Sequence, residues 1–105
     1  MKICIIDGND EEIASLSFSR FSNQWDIDRI FVKPPYRNKG YGTALLTAAI
    51  HAANKERKHL WLVVCGIGVL SDAQLEQWYG RHGFEITNPG SSIMIRPYKE
   101  GELDG

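Results

Sequence analysis

The alternation of apolar and polar residues along the chain predicts six strands and two helices. Short runs that are rich in β-branched residues, or that alternate apolar with polar positions, indicate strands at 2–6, 13–21, 25–32, 60–64, 84–87 and 92–96. Apolar residues that recur every three or four positions indicate helices at 44–55 and 72–82. The run at 60–64 is apolar throughout, which is typical of a strand covered on both faces.

The third strand places two carboxylates on one face, provided that it alternates regularly. That face is expected to carry Asp26, Asp28, Ile30 and Val32, and the opposite face Ile27, Arg29 and Phe31. The two aspartates would then lie side by side near the start of the strand. In the second strand, Ile13 falls out of step with Leu16 and Phe18, which predicts fraying or a bulge at its beginning.

The first helix has one small, apolar face, which suits close packing against a sheet. Its buried residues are expected to be Leu45, Ala48, Ala49, Ala52 and Ala53. The opposite, polar face is expected to carry Thr47, His51, Asn54 and Lys55.

The order of these elements predicts a mixed sheet of the α/β (α+β) class. The strand–helix–strand unit implies a right-handed crossover and a parallel pair, with a ligand outside the carboxyl ends of the strands. Ser71 with Gln74 predicts a capping box at the start of the second helix, and Gly83 predicts its end. A type II turn at 88–90 would join the last two strands. We expect one domain over residues 1–98 and a flexible tail over 99–105.

Composition excludes several classes of function. The chain has 105 residues, 43% hydrophobic and 24% charged residues, and a formal charge of -1 with both signs interspersed. These values predict a soluble, cytoplasmic domain that binds neither nucleic acid nor membrane. Cys4 and Cys65 lie in apolar runs and are expected in the core rather than in a disulfide, and no His and Cys spacing predicts a metal site.

The segment from Arg37 to Thr43 has the features of an anion-binding loop. Pro34 and Pro35 end the preceding strand, and two glycines then open a helix, where backbone N–H groups lack intrahelical partners. A tight turn that needs glycine for steric reasons would give the same pattern. The two common nucleotide loops are disfavoured, because Leu45 stands where a dinucleotide fingerprint has its third glycine and no P-loop sequence is present.

Two motifs in this sequence resemble the GNAT superfamily of N-acetyltransferases. The first is Val32-x-Pro34-x-x-Arg37-x-x-Gly40-x-Gly42, which resembles the acetyl-coenzyme A loop of that family. The second is Asp72-x-x-Leu75-x-x-Trp78-Tyr79-x-x-x-Gly83-Phe84, which is similar to the family's helix that ends in tyrosine before a strand. The resemblance implies a mostly antiparallel sheet with a βαβ crossover, and acetyl-CoA as co-substrate without a metal.

The resemblance also implies which residues hold the cofactor. Backbone amides of Asn38, Lys39, Gly40, Tyr41, Gly42 and Thr43 would bind the diphosphate, and Arg37 would supplement them. Backbone groups of Phe31 and Val32 would hold the pantetheine arm and the thioester carbonyl. Lys39 could meet the ribose phosphate or simply be solvated. Asp72 stands where many relatives carry a cofactor-contacting asparagine, and could instead serve as an N-terminal helix charge.

The implied chemistry is attack by an amine on a thioester. An alkyl ammonium of pKa ~10.4 must first lose a proton, and a carboxylate can take it. The resemblance places a base on the third strand, with Asp26 ranked before Asp28. Solvation, or a salt bridge with Arg20 or Arg29, is the alternative. Tyr79 matches the family's acid for the departing thiolate; the alternative is an aromatic residue that packs the helix on the sheet.

The family usually begins with a further strand and two helices, for which this sequence has no room before Lys2. Because those helices build part of the acceptor wall, we expect an uncovered apolar surface that meets a partner. The expected partner is a second copy or a protein acceptor. The alternative function is an acetyl-CoA-binding module, weakly active or inactive, that regulates another protein.

Overall fold

The computed structural model describes residues 1–64, 71–88, 90 and 92–98. Its six strands form one sheet in the order β1-β2-β3-β4-β6-β5. The strands are β1 (Lys2–Ile6), β2 (Glu12–Arg20), β3 (Gln24–Val32), β4 (His59–Val63), β5 (Glu85–Ile86) and β6 (Ile93–Arg96). Within the described ranges only β3 and β4 pair in parallel; the other four neighbouring pairs are antiparallel. The predicted fold class, with its parallel strand–helix–strand unit, is confirmed.

The helices are α1 (Tyr41–Lys55) and α2 (Asp72–Arg81), and a single 3-10 turn at Pro34–Tyr36 precedes α1. The Ser71 hydroxyl accepts a hydrogen bond from the backbone N–H of Gln74, and the side-chain carbonyl of Gln74 accepts one from the backbone N–H of Ser71. These two bonds confirm the predicted capping box. Gly83 follows α2 with a φ of 91°, a left-handed conformation that favours glycine. Neither helix has the length and hydropathy that crossing a membrane requires.

A bulge in β3 corrects the predicted alternation of that strand. Ser17 pairs with Arg29, but the next residue of β2 pairs with Ile27, so Asp28 is an extra residue without a counterpart. A bulge of this kind shifts the side chains beyond it to the other face. As a result Ile27 and Ile30 both face the core, whereas strict alternation put them on opposite faces. A second register shift leaves Ile13 unpaired with β1, where the sequence predicts an irregularity.

Helix α1 packs on one face of the sheet and buries Leu45, Leu46, Ala49 and Ala53. The prediction was wrong for Ala48, which is exposed, and for Asn54, which is buried. Asn54 is satisfied by a hydrogen bond of 3.1 Å from Nη1 of Arg96. Because Nε of Arg96 also donates to the carbonyl of His82, this arginine ties β6 to the ends of both helices.

Strand β4 is covered on one face only, which corrects the prediction of two covered faces. Leu60 and Leu62 are buried under the helices, but Trp61 is half-buried and Val63 is 65% exposed. Cys4 was also predicted in the core and is exposed on the edge strand β1. The predictions for Cys65, for the complete turn at 88–90 and for the tail at 99–105 fall on residues outside the described ranges.

The one-sided core predicts different costs for two neighbouring substitutions in β4. Leu62→Ala should destabilise the fold by about 2–5 kcal/mol, because it opens a cavity in the core. Val63→Ala removes an exposed side chain and should cost less than about 1 kcal/mol. Urea unfolding followed by circular dichroism measures both values. Equal losses for the two variants would contradict the arrangement of the core.

Candidate active site

A large cleft lies where the pairing of β3 with β4 ends. Their parallel ladder joins Gln24–Ile27 to His59–Leu62 and stops there. Strand β3 continues to Val32 on its β2 side, whereas its other edge has no strand partner beyond Ile27 among the described residues. Strand edges of this kind present unpaired N–H and C=O groups. The opening, which we call the main cleft, has a volume of about 1220 Å³ and lies at the carboxyl ends of both strands.

One end of the main cleft is formed by peptide N–H groups. The first bond into α1 runs from the amide of Ala44 to the carbonyl of Gly40 (3.0 Å). The amides of residues 38–43 therefore have no acceptor among the described residues; we call these six groups the amide cradle. Because they sit at the N-terminus of a helix of 15 residues, the helix dipole adds to their attraction for an anion.

The loop conformation depends on two residues in the left-handed region. Asn38 has a φ of 63° and Gly40 a φ of 86°, and Gly40 caps the helix without a side chain. Nε of Arg37 donates to the carbonyl of Val32 (3.0 Å), which holds the guanidinium beside the cleft. A Cβ atom on Gly42 would lie 3.7 Å from the Trp78 ring, an ordinary contact. Gly40 and Gly42 carry no side chain, so part of this end of the cleft is backbone.

The wall opposite β3 is one face of α2. Tyr79 lines the cleft, is only 9% exposed, and packs edge-on against Phe84 at 5.7 Å between ring centroids. Burial raises the pKa of its phenol above the ordinary 10.0, so the hydroxyl stays protonated at neutral pH. Trp78 was expected to be a core residue; it is half-buried and contributes to the same wall.

A smaller cavity of about 320 Å³ lies beside the main cleft and holds both predicted carboxylates. This side cavity is lined by Asp26, Ile27, Asp28, Trp61, Leu62, Val63 and Ile93. Asp28 lines both cavities, whereas Asp26 lines only the smaller one. Oδ2 of Asp28 accepts a hydrogen bond from the Ser19 hydroxyl (2.7 Å). Oδ1 of Asp26 accepts a hydrogen bond from the side-chain amide of Gln24 (2.9 Å).

The main cleft gathers most of the predicted site residues. Its lining includes Tyr79, Asp28, Phe31, Val32, Arg37, Asn38, Gly40, Tyr41, Gly42 and Thr43. Lys39, Asp72 and the side chain of Asp26 are absent from that lining.

Sequence reasoning missed several residues of the α2 wall. Gln74, Gln77 and Arg81 line the main cleft together with Trp78. Residues 74, 77, 78 and 81 are three or four positions apart, which places them on one face of a helix. This spacing was the sequence signal that could have identified them as a group.

Comparisons with known proteins agree with this geometry. Residues 2–86 match the family model of the acetyltransferase (GNAT) domain. Over 97 residues the chain is 32% identical to streptothricin acetyltransferase from Streptomyces lavendulae, an alignment that covers 91% of this chain and 49% of that protein. The chain thus spans about half the length of that relative.

Two solved structures show the same fold. The ribosomal-protein-S18-alanine N-acetyltransferase of Escherichia coli has a TM-score of 0.77 at 24% identity, over 97% of this chain and 72% of that one. A GNAT family N-acetyltransferase of Escherichia coli in complex with CoA has a TM-score of 0.73 at 16% identity, over 99% of this chain and 62% of that one. The match to the family model over residues 2–86, together with this fold, shows that the chain belongs to the GNAT family of acetyltransferases.

Proposed function

We propose that this chain is an N-acetyltransferase that moves an acetyl group from acetyl-CoA directly to an amine. The observation that carries the proposal is the amide cradle at the end of a cleft between two diverging strands. Six free peptide N–H groups at a helix N-terminus suit a diphosphate. The CoA complex of a protein with the same fold supports this choice of ligand.

The cofactor would lie along the cleft with its charged end on the cradle. Arg37 and Arg81 add positive charge along the cleft. Near Phe31 and Val32 the edge of β3 has no strand partner among the described residues, and apart from the Val32 carbonyl, which Arg37 holds, it offers hydrogen bonds to the amide groups of a pantetheine arm. Acetyl-CoA supplies an activated acetyl thioester, and this arrangement directs it towards Asp28 and Tyr79.

We assign the general base to Asp28 rather than to Asp26, because only Asp28 lines the main cleft. An acceptor ammonium with a pKa of ~10.4 gives its proton to this carboxylate, directly or through water. The nitrogen then bonds to the acetyl carbon as the carbon–sulfur bond breaks. The sulfur leaves as a thiolate that accepts a hydrogen bond from the protonated Tyr79 hydroxyl, and the second proton lost by the nitrogen ends on this sulfur, so that the products are the amide and free CoA thiol.

The uncovered face of the sheet supports the prediction of a partner. Val63 and Ile93 on that face are 65% and 36% exposed, and exposed apolar surface beside a cleft is typical of contact sites. We therefore expect a homodimer at micromolar concentrations, unless a protein acceptor uses the same face. Light scattering after gel filtration measures the mass, and Val63→Glu should shift a dimer to monomer. A monomer at every concentration would contradict the homodimer.

Charge at the cradle should control cofactor binding. Gly42→Asp places a carboxylate beside the diphosphate without a steric clash, so acetyl-CoA affinity should fall by about 100-fold or more. Gly42→Asn has nearly the same shape without the charge and should lose at most about tenfold. Isothermal titration calorimetry compares the two variants. If they bind acetyl-CoA equally well, the diphosphate lies elsewhere.

Loss of the Tyr79 hydroxyl should affect turnover rather than binding. Tyr79→Phe should lower kcat by about 10²-fold or more and leave acetyl-CoA affinity nearly unchanged, because only the proton donor is lost. Tyr98→Phe, outside both cavities, is the control. Thiol release with a panel of amines and peptides gives the rates. Tight acetyl-CoA binding with no transfer to any acceptor would instead support the regulatory binding module.

A further inference from the structure

The side cavity adjoins the main cleft. Ile27, Asp28, Leu62 and Val63 line both of them. Asp28 therefore stands at the junction, whereas Asp26 lies further along the side cavity. A molecule held in the side cavity can reach the main cleft past Asp28. The side cavity is thus placed to hold the part of an acceptor that does not react.

The two carboxylates of this cavity have no cation partner among the described residues. Their hydrogen bonds come from neutral groups, the Gln24 amide and the Ser19 hydroxyl. The neighbouring arginines are engaged with aromatic rings. Arg20 lies 5.9 Å from the ring centroid of Trp25, and Arg29 lies 5.1 Å from that of Phe31. Two uncompensated negative charges therefore face a cavity that can hold a ligand.

An indole completes the far part of the side cavity. Trp61 pairs in register with Asp26 across the parallel ladder, so their side chains are neighbours on the uncovered face of the sheet. A cation placed here is attracted both by the charge of the carboxylate and by the quadrupole of the neighbouring indole ring. Val63 and Ile93 supply apolar surface for a short alkyl chain.

We infer that the acceptor is a small amine that carries a second positive charge, and that Asp26 and Trp61 bind this second charge while Asp28 receives the reacting amine. The inference rests on the proposed function and adds to it the class of substrate. Asp26 and Asp28 are two positions apart on β3, so their Cα atoms are separated by roughly 6 Å, with the bulge at Asp28 as a local departure from regular spacing. This distance suits the two nitrogens of a short α,ω-diamine.

Diaminobutane and butylamine provide a matched pair of probes, because they differ only in the second amine. With acetyl-CoA and the whole chain, kcat/KM for diaminobutane should exceed that for butylamine by about tenfold or more. Two equivalent amines account for a factor of about two of that ratio. Asp26→Asn and Trp61→Leu should each return the ratio to about two, mainly through KM for the diamine. Glu56→Gln, an exposed carboxylate at the C-cap of α1, should leave the ratio unchanged.

Several results would overturn the inference while the acetyltransferase stands. The first is an equal kcat/KM for the two probes, and the second is a preference for the diamine that remains in both variants. The third is a higher kcat/KM for a lysine peptide than for diaminobutane. Calorimetry of both probes with the CoA-bound protein covers the case in which nothing is acetylated. Tighter diaminobutane binding that Asp26→Asn removes would then confirm the dication site and overturn the proposed reaction. Equal binding of the probes would overturn the dication site itself.

Discussion

The candidate site depends on the point at which β3 loses β4 as its neighbour. The ladder ends at Ile27 and Leu62, yet β3 stays paired with β2 as far as Val32, with a bulge at Asp28. A strand that is paired on one side and open on the other keeps its shape while its peptide groups remain available. Helix α1 begins shortly after the end of β3, so the open strand edge and the amide cradle belong to one continuous stretch of the chain.

The bulge at Asp28 allows apolar residues on both sides of it to face the core. Packing under α1 requires the apolar residues on both sides of the bulge to face the core. A regular strand with this sequence could not do so, because Ile27 and Ile30 are three positions apart, and an odd offset places two residues on opposite faces. The extra residue resolves the conflict, and it falls at the junction of the two cavities. Bulges are common next to active sites, where they redirect a side chain.

Local signals in the sequence predicted most of the fold. The capping residues of α2, the limits of β1 and the glycine that follows α2 depend on neighbours in the chain, and these predictions were confirmed, whereas anion binding by the glycine loop stays a prediction. Several of the predictions that failed depend on long-range packing. Nothing within β4 reveals which face the helices cover, and the burial of Asn54 depends on Arg96 in a distant strand. The spacing along α2 groups its wall residues on one helical face, but only the placement of α2 opposite β3 shows that this face lines the cleft.

The charge distribution along the two cavities matches the reaction that we propose. The chain carries a formal charge of only -1, but the cradle and its arginines are positive while the side cavity is negative. A polyanionic cofactor and a cationic amine are therefore drawn to opposite ends, with their reactive groups towards Asp28. Acetylation removes the positive charge of the reacting nitrogen. The product then has one charge fewer to hold it beside the carboxylates, which favours its release over that of the unreacted amine.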